Sequence, residues 1–129
     1  MSDKKIKEIV SYALKQQGFK GGAEILVCFT GDGAMRKLNR LYLGQDSPTD
    51  VLAFDFSRGK ENIHADIVIS TETCVTNSRV FKTSLDYEAY LYIAHGILHI
   101  LGYNDFTLGQ RKRMNAMSAN LLERLGIQQ

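Results

Sequence analysis

Apolar residues recur with helical spacing along much of the chain. This pattern predicts helices over residues 3–17, 31–44, 71–82, 84–101 and 108–125. Ser84 is a suitable N-cap for the fourth helix, because Asp86 and Glu88 then lie in its first turn, where the helix dipole favours them. Gly102 is expected to end this helix. The residues predicted to face inward from the second and last helices are Met35, Leu38, Leu41, Tyr42, Met114, Met117, Leu121, Leu122 and Leu125.

Three other runs are rich in β-forming residues and predict strands at 24–30, 51–56 and 63–70. The third run alternates, and the alternation divides it between two faces of a sheet. One face carries Ile63, Ala65, Ile67 and Ile69, and the other carries His64, Asp66, Val68 and Ser70. Helices interspersed with a few strands predict a single α+β domain over residues 1–129, with a small mixed sheet packed against helices.

Composition narrows the class of protein. The 129 residues are 44% hydrophobic, which is enough for a core, and no apolar run reaches the roughly 18–20 residues that cross a bilayer. The N-terminus has no apolar signal region, so we expect a cytoplasmic protein.

Cys28 and Cys74 lie far apart and predict no disulfide. The net charge of +2 permits a polyanionic partner, and the cluster Arg111, Lys112 and Arg113 is either a solvated helix face or a phosphate contact.

Two histidines stand four residues apart in the apolar run "AHGILHILGYND". Residues at this spacing share one face of a helix, so His95 and His99 can direct two nitrogens at one point. A reversal of the chain at Gly102 would bring Asp105 back over the end of the helix. The pattern H-x-x-x-H-x-x-G-x-x-D therefore predicts one zinc ion with three protein ligands, His95, His99 and Asp105, and a fourth position open for catalysis. Two core histidines satisfied by hydrogen bonds are the alternative.

The nearest motif by spacing is the H-E-x-x-H-x-x-G-x-x-H of metzincin proteases. In those enzymes a Glu after the first histidine is the general base, and here that position is Gly96. A peptidase would need a base from elsewhere, such as Glu88. A metalloprotease or other amide hydrolase is therefore a weaker alternative.

Three segments together resemble the YbeY-type rRNA maturation factors. The segment "HGILHILGYND" is similar to that family's H-G-x-L-H-x-x-G-Y-D-H signature, "LNRLYLGQDSPTDVLAF" (38–54) to its L-N-x-x-Y-R-x-K-D-x-P-T-D-V-L-S-F segment, and "ADIVIS" (65–70) to its G-D-I-x-I-S strand. The resemblance implies a zinc-dependent endoribonuclease that acts on single-stranded RNA in rRNA maturation and ribosome quality control. Its implied partners are rRNA and the small ribosomal subunit or its factors.

Three departures from that family pattern bear on the candidate chemistry. Asp105 stands where the family's third ligand is usually His, with His64 as a rival ligand. Leu43 and Gln45 replace an arginine and a lysine of the family segment. Loss of the arginine removes an expected phosphate contact, which favours weaker cleavage or a non-catalytic ribosome assembly factor with a structural metal.

Five further residues are candidates for supporting roles. Arg40 can replace the missing arginine, or it is a solvated surface residue. Thr49 and Asp50 can line the cleft or orient a ligand, or they only form the turn after Pro48. Asp66 can accept a hydrogen bond from a metal-bound histidine, or it bonds at the strand end. Asn39 is either exposed or turned towards the cleft.

Overall fold

The structure, a computed structural model, describes residues 1–44 and 49–129. Gln45 and Pro48, and with them most of the predicted 45–50 loop, lie outside the described residues. The elements in chain order are α1 (Asp3–Gln16), β1 (Ala23–Thr30), α2 (Asp32–Leu43), β2 (Val51–Asp55), β3 (Ile63–Ser70), α3 (Thr71–Phe81), α4 (Leu85–Ile100) and α5 (Leu108–Arg124). The predicted elements are therefore all present, and each end differs from its prediction by at most one residue.

The three strands form one mixed sheet with β3 at its centre. On one side β1 runs parallel to β3, with Val27 opposite Ile67, and on the other side β2 runs antiparallel, with Ala53 opposite Ile67. A parallel pair requires a long connection, which α2 and β2 supply between β1 and β3. The prediction of an α+β fold with a small mixed sheet is confirmed.

One face of β3 packs against α4, the helix that carries the two histidines. The strand alternates as predicted, because Ile63, Ala65, Ile67 and Ile69 are all buried in the main core. Gly96 of α4 faces Ile67 so closely that there is no room for a side chain at position 96. The histidine helix is thereby fixed against the centre of the sheet.

The prediction of which α2 residues face inward was partly wrong. Leu41 and Tyr42 are 63% and 68% exposed, whereas Met35 and Asn39 are buried. Met35 and Asn39 are four residues apart, so the buried stripe passes through them and turns Leu41 and Tyr42 outward. The Tyr42 ring still makes an edge-to-face contact with Phe54 on β2, at 5.4 Å between centroids. The buried position of Asn39 answers the question that the sequence left open.

The ends of α4 and α5 are defined by specific capping interactions. Ser84 caps α4 by accepting a hydrogen bond from the Tyr87 amide, at 3.0 Å, as predicted. At the start of α5, Thr107 and Gln110 form a reciprocal capping box. Within the part of the chain that the structure describes, no helix is long and apolar enough to cross a membrane.

Candidate metal centre

Both histidines project from the last two turns of α4. Their ring centroids lie 5.2 Å apart, as expected for residues one helical turn apart. The His95 side chain is mostly buried and the His99 side chain is partly open to solvent. The helix therefore presents two imidazoles side by side at a partly open surface.

The loop after α4 brings a carboxylate back to these imidazoles. Gly102 has a φ of +103°, a conformation that favours glycine. The amide of Gly102 donates to the His99 carbonyl and the amide of Tyr103 donates to the Leu98 carbonyl, each at 3.0 Å. This pair of bonds is the Schellman arrangement, and it reverses the chain so that Asp105 returns over the end of the helix.

The three side chains converge on one point. Asp105 Oδ2 lies 3.4 Å from His99 Nε2 and 3.8 Å from His95 Nε2. The three donor atoms all lie within 4.8 Å of one another. A tetrahedral zinc ion with bonds of about 2.0–2.2 Å requires donors about 3.3–3.6 Å apart. The group could therefore hold a metal ion with only a small closing movement.

A backbone contact fixes the tautomer of one imidazole. Nδ1 of His99 lies 3.1 Å from the carbonyl oxygen of Tyr103. A carbonyl oxygen accepts but cannot donate, so Nδ1 carries the proton and Nε2 presents its lone pair to the site. Metal-binding histidines generally make such a bond with their second nitrogen. Asp66 is one candidate for this type of bond on sequence grounds, and for His99 the acceptor is the Tyr103 carbonyl oxygen.

Burial and charge both act on His95. Burial lowers the pKa of His95 below its ordinary value, and the neighbouring His99 lowers it further. The carboxylates of Asp50 and Asp105 oppose this change. A lowered pKa keeps the imidazole neutral near pH 7, which is the form that binds a metal.

Asp50 lies close enough to act on this site by its charge. The same carboxylate raises the pKa of Tyr92 on α4, although burial is the largest cause of that shift. Its Oδ1 accepts a hydrogen bond from the Val51 amide at 2.8 Å, and the Thr49 hydroxyl lies 3.4 Å from it. The turn chemistry expected after Pro48 is thus present, together with a position near His95.

The other predicted residues lie away from the imidazoles or on a separate element. Asp66 alternates with the β3 residues that face α4, so it projects from the opposite face of the sheet. His64 is exposed on that same opposite face, and its ring lies 5.9 Å from the ring of Phe56. It is not part of the group of three donors. Arg40 is exposed in the last turn of α2.

Sequence reasoning missed the contacts that two cations of α5 make with the loop that carries Asp105. Arg111 donates from Nη1 to the carbonyl oxygens of Phe106 and Asp105, at 3.2 and 3.4 Å. The Arg113 guanidinium carbon lies 5.6 Å from the centroid of the Tyr103 ring. The run of three cations was visible in the sequence, but its packing against the loop of Asp105 depends on the angle between α4 and α5, which no local pattern specifies.

The fold and the site define a small α+β protein with a three-donor site for a metal ion on one helix and the loop after it. Residues 1–126 match the family model described as Endoribonuclease YbeY. The endoribonuclease YbeY of Desulforamulus reducens is 35% identical over an alignment of 132 residues. The alignment covers 96% of this chain and 86% of that protein. The one from Bordetella pertussis is also 35% identical, over 95% of this chain and 82% of that protein. The chain belongs to the YbeY endoribonuclease family.

A solved structure agrees on the fold. The solution structure of TM1509 from Thermotoga maritima matches with a TM-score of 0.57 and 21% identity. The match covers 95% of this chain and 82% of that chain. At this identity the likeness concerns the fold alone, and it supports the α+β architecture described above.

Proposed function

We propose that this chain is a zinc-dependent endoribonuclease that cleaves single-stranded RNA in the cytoplasm, as part of small-subunit rRNA maturation and ribosome quality control. The observation that carries the proposal is the convergence of His95, His99 and Asp105 on one point, in a chain that belongs to this family. Two imidazoles and a carboxylate suit zinc, and three protein donors leave a fourth position free. When bound, zinc would polarise a phosphoryl oxygen and lower the pKa of water.

The chain's own residues prepare the site for this chemistry. The Tyr103 carbonyl holds His99 in the tautomer that presents Nε2, and the lowered pKa of His95 keeps that ring neutral. Asp105 contributes a negative charge that a third histidine would lack, so bound water should be a weaker acid than in a three-histidine site. Asp50, whose charge acts on His95, is proposed to orient the attacking hydroxyl or water by accepting its hydrogen bond.

A peptidase mechanism lacks its base at this site. Position 96 has no side chain, and a β-carbon there would lie 2.9 Å from Ile67. Glu88 is only 2% exposed, and it accepts hydrogen bonds from the hydroxyls of Thr83 and Tyr92 at 2.7 and 3.3 Å. A carboxylate that is buried and bonded in this way is unavailable to a substrate. We therefore favour phosphodiester cleavage.

The test compares two substrates on protein of known metal content. Purified protein is analysed for zinc and then incubated with single-stranded RNA and with casein, each with and without chelator. We expect about one zinc per chain, and RNA cleavage that stops with chelator and returns with added zinc. Asp105→Asn should lose zinc and cleavage, whereas His64→Ala, the matched control on β3, should keep both.

Three results would contradict the proposal. Protein that takes up no zinc at micromolar concentrations removes its basis, and cleavage of casein favours the amide hydrolase. Loss of zinc in His64→Ala with retention in Asp105→Asn would overturn the ligand assignment. Protein that holds zinc and binds RNA without cutting it is the non-catalytic assembly factor.

A further inference from the structure

An aromatic ring stands in solvent directly beside the candidate metal centre. Phe106 follows Asp105 in the chain and is 79% exposed, more than any other large hydrophobic residue among those that the structure describes. Exposing an aromatic side chain forfeits the hydrophobic free energy of its burial, so a ring in this position makes little contribution to the core.

The exposure of this ring is not the result of a loose loop. The amides of Phe106 and Thr107 both donate to Oε1 of Gln110, each at 3.0 Å. Arg111 donates to the Phe106 carbonyl oxygen at 3.2 Å. Bonds on both sides of Phe106 therefore hold its backbone in place.

Three cations follow the ring in the first two turns of α5. Arg111, Lys112 and Arg113 are all exposed, and the first turn of α5 contains no acidic residue that would neutralise them. Arg113 stacks over Tyr103, whose hydroxyl donates a 2.6 Å hydrogen bond to Oε1 of Gln17, the C-cap of α1. We name the ring and the three cations that follow it in the chain the Phe106 platform: Phe106, Arg111, Lys112 and Arg113.

We infer that the Phe106 platform binds single-stranded RNA, with a base stacked on Phe106 and flanking phosphates held by Lys112 and Arg113. Aromatic rings beside cations are the usual elements of single-strand binding, because every base has a face that stacks. Phe106 follows Asp105 directly, with Cα atoms about 3.8 Å apart, so a base stacked on Phe106 would lie beside the candidate metal centre. The inference rests on the proposed function and adds a surface that determines substrate position.

An acidic protein segment is the competing occupant, and the ring argues against it. Cations alone would suffice to hold carboxylates, whereas Phe106 adds a flat apolar surface that carboxylates do not use. A nucleotide uses both features, since it joins a stacking face to an anionic backbone. Charge and shape together therefore favour single-stranded RNA.

The test measures binding separately from cleavage. The probe is a short fluorescein-labelled 2′-O-methyl oligouridylate, which has no free 2′-hydroxyl, and the zinc-loaded protein is titrated while anisotropy is recorded. We expect Phe106→Ala to weaken binding about tenfold, the value of one stacked base, and Phe106→Trp to restore it. Phe81→Ala, which removes a ring that is 63% exposed on α3, is the matched control and should bind normally.

Salt dependence tests the phosphate contacts. Lys112→Gln should reduce the slope of log affinity against log salt concentration by about one unit, whereas Lys60→Gln in the loop before β3 should leave the slope unchanged. Zinc content should be the same in all these variants.

Several outcomes would overturn the inference. If wild type cleaves RNA with zinc but Phe106→Ala and Lys112→Gln bind like wild type, the platform is refuted while the proposed function stands. Polyglutamate that competes as well as RNA would identify an unspecific anion surface. Wild type that holds zinc yet neither binds nor cleaves RNA refutes both proposals.

Discussion

A β-carbon at Gly96 would lie 2.9 Å from Cγ2 of Ile67, so the backbone of the helix that carries both histidines packs directly on the Ile67 side chain of the central strand. Gly96→Ala should therefore lower the free energy of unfolding by about 1–3 kcal/mol, the usual cost of overpacking. Chemical denaturation of the two proteins measures this. Ile67→Ala removes all three atoms that the new carbon would meet, so the double variant should lose less than the sum of the single losses. Strict additivity would mean that the contact is not the cause.

Metal binding should stabilise the fold through His99. An ion that binds only the folded chain at 100 times its dissociation constant adds about 2.7 kcal/mol. The melting temperature of wild type should therefore fall clearly when chelator is added, while His99→Ala should melt at nearly the same temperature with and without it. His64→Ala serves as the control and should keep the wild-type difference. If chelator lowers the melting temperature equally in wild type and His99→Ala, metal binding does not stabilise the fold through His99.

The local features of the site could be predicted from the sequence, and the tertiary ones could not. The i, i+4 spacing of His95 and His99 and the turn at Gly102 follow from helix geometry, which depends only on neighbouring residues. The acceptor for His99 could not be predicted, because a backbone carbonyl such as that of Tyr103 leaves no mark in a sequence. The outward position of Leu41 likewise depends on where α2 crosses the sheet, which periodicity alone does not determine.

The two cysteines should differ in reactivity towards a thiol reagent. Burial, with smaller contributions from Glu88 and Asp50, raises the pKa of Cys74 to about 12, so its reactive thiolate is almost absent at neutral pH. Cys28 is only half-buried on β1. Titration of native protein with Ellman's reagent should show one accessible thiol, and Cys28→Ser should remove it. A second thiol that reacts fast in native Cys28→Ser would contradict the burial of Cys74.

The metal-free protein should lose stability in mild acid because of His95. Burial lowers the pKa of His95 below its unfolded value of 6.5, so the unfolded chain takes up a proton first as the pH falls. Stability is therefore full above about pH 6.5 and declines as the pH falls from there towards the folded pKa. The free energy of unfolding is measured in chelator at about pH 7.5 and at about pH 5.5. It should be lower at the acid pH in wild type, and it should fall by less in His95→Gln. Identical losses would exclude His95 as the source.

Arg40 and position 43 test where the cleft finds its remaining positive charge. The family segment has an arginine at the position of Leu43. Leu43 is exposed at the end of α2, three residues after Arg40. Arg40→Ala should weaken RNA binding and reduce the salt slope by about one unit, with zinc content unchanged. Leu43→Arg should raise cleavage, because a second cation can neutralise the phosphodiester. Lys37→Ala on the same helix is the control. If neither Arg40→Ala nor Leu43→Arg changes RNA binding or cleavage, this end of α2 is not part of the cleft.

All three candidate donors belong to one short segment, residues 95–105. The entropy lost in closing a chain loop grows with its length, so bringing these groups together costs little even before the rest of the molecule is folded. A chain still leaving the ribosome could therefore capture its ion as soon as α4 forms, without waiting for the sheet. The same locality leaves the denatured chain some affinity for the ion, so the metal will protect the fold by less than its native dissociation constant implies.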